Sequence, residues 1–156
     1  MEENEYRDIY HKVNQCRCVF EKSILSRQTM CSHAHRFNLA DREGVTCNEP
    51  ALHPTCKQFL DTMRAKALFA LKLTKIDGPL PHAKEVKVQT GSLLGLLAIV
   101  KQQTSINQVD DIISLLQQAE MQFGGLNAFP YDELTRRIVH YEGRQKRRRP
   151  AGKPAE

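Results

Sequence analysis

Cys16, Cys31, Cys47 and Cys56, with Cys18 beside the first, place every cysteine of the chain between residues 16 and 56. Thiolates are strong ligands for zinc and for iron–sulfur clusters, so a group of them points first to a bound cofactor. Zinc fingers and ribbons supply ligands in close pairs, because one tight turn must present both to a single tetrahedral ion. Here 14, 15 and 8 residues separate the successive ligands, so each would come from a different helix end or loop. That arrangement suits a larger object, and the expected cofactor is an iron–sulfur cluster of the 4Fe-4S type, with zinc as the alternative. The competing reading is that these are buried cysteines acting as small hydrophobes. Cys47 and Cys56 argue against it, since they lie in a polar stretch bearing Pro50 and Pro54.

Cys16, Cys31, Cys47 and Cys56 form the expected ligand set, with Cys18 and His53 in reserve. His53 stands three residues before Cys56, close enough to reach the same ion. His33 and His35 read as solvated side chains beside Arg36, Asp41 and Arg42.

These residues need elements to position them. Ile9, Val13, Cys16, Phe20 and Ile24 recur at intervals of four and three, which predicts one helix over about residues 5–28. On it Cys16 faces inward, and Cys18, rotated by roughly 200 degrees, faces elsewhere. Ser32 is expected to cap a second helix running to about residues 41–43 and ended by Gly44, with residues 44–54 as a loop. Phe59, Leu60, Met63, Ala67, Ala70 and Leu71 predict a strong helix beginning near Cys56, whose N-terminus would favour a thiolate.

Asp77-Gly78-Pro79-Leu80-Pro81 reads as a connector. Beyond it, residues 84–89 are compatible with a short strand, and Leu93–Val100 with a buried helix entered through Thr90-Gly91-Ser92. Thr104 or Ser105 should open a further helix with a stripe of Ile106, Val109, Ile113 and Leu116, closed by Gly124-Gly125. Pro130 begins the last, with Tyr131, Leu134, Ile138 and Tyr141 inward. The expected fold is a mainly α, single-domain bundle of about six helices over residues 1–142. A cysteine-rich half, residues 1–76, is followed by a helical scaffold half, residues 82–142, and by a disordered basic tail, residues 143–156.

The formal charge of +5 is unevenly distributed. Arg144, Lys146, Arg147, Arg148, Arg149 and Lys153 face only Glu156 in the tail, which leaves residues 1–142 neutral. Such a run attracts nucleic-acid phosphates without selecting sequence, and Arg144, Lys146, Arg147, Arg148 and Arg149 are the candidate contacts. It carries no aromatic residues for base stacking.

No apolar run is long enough for a membrane span, and the N-terminal residues lack the pattern of a secretory leader. A cytoplasmic location is expected, where thiols stay reduced and an odd count of cysteines raises no pairing problem. No catalytic constellation emerges. Gly91-Ser92-Leu93-Leu94-Gly95 lacks the trailing Lys-Ser/Thr of a phosphate loop and the third glycine of a dinucleotide site, and Asp110 and Asp111 read as helix-start carboxylates.

The expectation is a small metal- or cluster-binding protein with a redox-responsive or electron-transfer role toward a protein partner. One alternative is a zinc-stabilised or metal-free nucleic-acid-binding module acting through its tail. A second is a subunit that joins a larger complex through the stripe from Ile106 to Leu116.

Overall fold

The computed structural model describes residues 2–72, 80–104 and 106–143. The chain is mainly helical, as expected, with α1 (Glu3–Val13), α2 (Glu21–Leu25), α3 (His53–Ala70), α4 (His82–Lys101), α5 (Ile112–Phe123) and α6 (Tyr131–His140). A short 3-10 turn, Leu126–Ala128, joins the last two. An antiparallel hairpin, β1 (Ala34–Leu39) and β2 (Arg42–Cys47), interrupts the helices.

The single helix expected over residues 5–28 is two helices with a break between them. Asn14, at φ −118°, ends α1 and turns its amide toward β2, donating to the Val45 carbonyl at 3.0 Å. Asn, Cys and Val are all weaker helix formers than the residues around them, so little opposes the break. The residues that follow run alongside β2: Cys18 N–H donates to Val45 O at 3.0 Å and Cys47 N–H to Cys16 O at 2.8 Å, with Arg17 opposite Thr46. The inward stripe therefore holds only in part. Phe20 and Ile24 are buried, but Val13 is 56% exposed and Tyr10 is the buried side chain of α1.

The helix expected from Ser32 is instead the hairpin, turning at Ala40 and Asp41. Gly44 serves it in a way a helix cap would not. Phe37 pairs across from Gly44, and a Cβ there would come within 2.4 Å of the ring tip, so the glycine leaves room for the ring to lie over the ladder. Phe37 in turn meets Tyr10, and Arg42 sits over Tyr6 while donating to Glu3 at 2.8 Å, which fastens the hairpin to α1.

Residues 84–89, compatible with a short strand, and the expected helix entry at residues 90–92 all lie inside α4. Glu85 and Gln89, four residues apart, share its buried face, where Glu85 accepts from Arg64 of α3 and Gln89 accepts from Ser23 N–H at 3.0 Å. Gly91 and Gly95 are mid-helix residues against α6. A Cβ on Gly91 would stand 3.1 Å from the Ile138 Cα, which is why the two helices pack so closely.

α5 begins at Ile112, later than expected. Asp111 before it is extended, and Val109 is bridged to Thr29, four residues beyond α2. Gly124, at φ +88°, ends α5 as anticipated, and Tyr131, Leu134 and Ile138 are the buried residues of α6. Phe20, Phe59, Leu60 and Met63 share one core with Leu93, Leu96, Ile112, Leu116, Leu134 and Ile138, so both halves of the chain contribute to it. Among the described residues, no helix is long and apolar enough to cross a membrane.

Candidate metal centre

The cysteines arrive from four separate places in the fold. Cys18 follows the break after α1, Cys31 lies between α2 and β1, Cys47 ends β2, and Cys56 stands in the first turn of α3. All four line one small cavity of about 20 Å³, together with Val19, Phe20, Ala34, Ile112, Ile113, His33 and His53. Cys16 does not line it. The helical phase that turned Cys16 inward and Cys18 away loses its basis, because residues 16–18 are not helical. Arg17 pairs with Thr46, which sets Cys16 across from Cys47 and Cys18 across from Val45, and of the two only Cys18 lines the cavity.

Backbone groups point at these thiols. Cys31 receives the N–H groups of His33 and Ile113, the latter in the first turn of α5, and Cys18 receives that of Phe20. Cys56 lies at the start of α3. Two helix N-termini, those of α3 and α5, thus face the cavity with their partial positive charge, which stabilises anionic sulfur.

Burial works in the opposite direction and is larger. It pushes the thiols of Cys18 and Cys56 up to about 12, with neighbouring cysteines adding to the rise. Burial also raises Cys31, against the two N–H groups, and raises Cys16, helped by Cys47. A buried thiol stays protonated until a cation replaces its proton, so metal uptake releases protons and tightens as pH rises. The same shift governs the metal-free fold. A folded-state pKa above the unfolded value gives stability that is complete below the ordinary thiol value of 9.0 and is lost as pH rises toward about 12. Thermal unfolding of metal-free protein is therefore expected to hold its midpoint below pH 9 and to fall steadily above it, whereas metal-loaded protein lacks this decline.

Other side chains hold the cavity walls. The Asp111 carboxylate accepts from Ser32 N–H at 3.0 Å, from Ser32 Oγ and from Ser114 Oγ at 2.7 Å, tying the residue after Cys31 to the start of α5. Burial raises its pKa, but these hydrogen bonds outweigh it and leave the group below the usual carboxylate range. His53 Nε2 donates to the Arg17 carbonyl at 3.0 Å, so this reserve ligand anchors the residue before Cys18 with one ring nitrogen. His33, read as solvated, lines the cavity, and His35 is exposed.

Glu21 joins α1, the Arg17 segment and β2. Its buried carboxylate accepts from Val45 N–H at 2.8 Å, from Arg17 at 2.7 and 3.0 Å, and from the Tyr10 hydroxyl. Neither Glu21 nor His33 was legible as a site residue from composition. The usable signal was the alternation Cys16-Arg17-Cys18 with Val45-Thr46-Cys47, a period of two that marks paired extended segments.

Among the described residues, no group of three or more Cys, His, Asp or Glu side chains stands close enough together to hold a single metal ion. Arg144, Lys146, Arg147, Arg148 and Arg149 lie outside the described residues. Comparison with known protein families, with curated proteins and with solved structures finds no match to this chain.

Proposed function

We propose that Cys18, Cys31, Cys47 and Cys56 bind an iron–sulfur cluster, and that the protein works as a redox-responsive or electron-transfer module. The observation that carries the reading is the convergence of four thiols from four separate places in the chain on one apolar cavity faced by two helix N-termini. A single zinc ion bonded at about 2.3 Å to four sulfurs needs those sulfurs in mutual contact. Cluster ligands bond to separate irons, so they need not meet at one point. The N–H groups aimed at Cys18 and Cys31 are the kind of donors that set a cluster's potential.

The cavity as it stands is smaller than a four-iron cluster, so loading must part its walls. Anaerobic reconstitution with ferrous iron and sulfide tests the reading. It should produce broad absorption at about 400 nm and, at a hundredfold excess over Kd, a stabilisation of about 2.7 kcal/mol, or roughly 5 to 10 °C in thermal midpoint. Unchanged colour and midpoint would refute it.

The small volume favours a second reading, zinc held by the same thiols after a modest inward movement of their side chains. Zinc alone would then raise the midpoint. The six cations of residues 144–153 support an additional role toward a polyanion such as nucleic acid, and deletion of residues 143–156 should then abolish that binding without affecting the cofactor.

A further inference from the structure

We propose that Cys16 and Cys47 form an oxidation site, a disulfide that withdraws one sulfur from the cysteine cavity. Its consequence for a cofactor rests on the cluster reading above, but formation of the bond does not.

The register places the two residues opposite one another. Arg17 pairs with Thr46, so Cys16 falls directly across from Cys47, and Cys47 N–H donates to Cys16 O at 2.8 Å. Residues opposed at such a position have Cα atoms about 5.5 Å apart and side chains on the same face. That spacing lies within the range a disulfide spans without backbone movement. Both residues are only half-buried, within reach of a small oxidant.

Their positions relative to the cavity differ. Cys47 lines it and Cys16 stands outside, so a bond between them draws Cys47 away from the other three sulfurs. Cys56, by contrast, is buried, and Cys18 and Cys31 face inward. This gives the fifth cysteine, the one left over from a four-sulfur set, a chemical task.

The step balances with a peroxide as two-electron oxidant. One thiol attacks the peroxide O–O bond and becomes a sulfenic acid with loss of water. The second thiol then displaces the sulfenic oxygen as a second water, forming the S–S bond. Two thiols are oxidised, one peroxide is reduced, and both thiol protons leave in the two waters.

The test treats the full metal-free chain with one equivalent of hydrogen peroxide and maps disulfides in a non-reduced digest. A dominant peptide linking Cys16 to Cys47, lost in Cys16→Ser, is expected. A dominant link elsewhere, or free Cys16 beside other paired cysteines, overturns the proposal. A second arm offers iron and sulfide to the oxidised chain. If the cluster reading holds, wild type reloads only after dithiothreitol, and reloading to the same extent without it would overturn the proposed consequence. A Cys16–Cys47 link in a chain that never takes up iron or zinc leaves the oxidation site standing and removes the cluster reading, so the two fail separately.

Discussion

Cys18→Ser is expected to abolish iron and sulfide uptake on reconstitution, while Cys16→Ser leaves it unchanged. The contrast follows from two residues separated by one position yet placed differently: Cys18 lines the shared cavity and Cys16 does not. Loss of groups that merely orient a metal ligand costs about 10- to 100-fold in affinity, and loss of a ligand should exceed that. Absorption at about 400 nm and bound iron, read side by side for the two variants, check the expectation. The reverse pattern, with Cys16 essential and Cys18 dispensable, would return the assignment to an inward-facing Cys16. Equal loss in Cys31→Ser and Cys56→Ser would complete the set, since both residues border the same space.

Glu21→Ala should be among the most destabilising substitutions outside the apolar core. Glu21 is 6% exposed and accepts hydrogen bonds from a backbone amide, a guanidinium and a phenol. Truncation leaves the Val45 N–H and the buried Tyr10 hydroxyl without this acceptor, and each abandoned polar group costs about 1–3 kcal/mol. Arg17 is half exposed and can turn to solvent, so its share is small. The total of about 3 kcal/mol lowers the thermal midpoint by roughly 6 to 12 °C in a domain of this size. Glu21→Gln keeps one acceptor oxygen and should lose about half as much by the same reasoning. A midpoint within a degree or two of wild type for Glu21→Ala would mean that these contacts do not hold the Cys18 segment against β2.

The helices most visible in the sequence are those whose apolar spacing and punctuation agree. Phe59, Leu60, Met63 and Ala67 mark α3, Gly124 closes α5, and Pro130 precedes α6, each where expected. The first 50 residues were less legible because long-range pairing overrides local pattern there. Ile9, Val13, Cys16, Phe20 and Ile24 keep helical spacing, yet Asn14 turns away to bind β2, and no residue nearby announces that partner. The hairpin was hidden for a similar reason. Ala34–Leu39 has no clean apolar alternation, and its strand is fixed by Phe37 over Gly44 and by attachment to α1.

The site was legible in part. Five cysteines and a histidine draw attention to residues 16–56, and three of the four expected ligands, Cys31, Cys47 and Cys56, line one cavity. The choice between Cys16 and Cys18 depended on whether their segment was helical or extended. Residues 16–18 are not helical, so the helical phase that separated Cys16 from Cys18 does not apply there, and of the two Cys18 lines the cavity. Asp111 and Glu21 were hidden because their partners, Ser32 and Val45, are distant in sequence.

The most direct test is iron, acid-labile sulfide and zinc analysis of the full chain purified without oxygen. A cluster on Cys18, Cys31, Cys47 and Cys56 predicts iron and sulfide in equal amounts, about four of each per chain for a cubane. A folded chain with neither iron nor sulfide would contradict the cluster, and one zinc per chain in their place would assign the same four thiols to a structural ion.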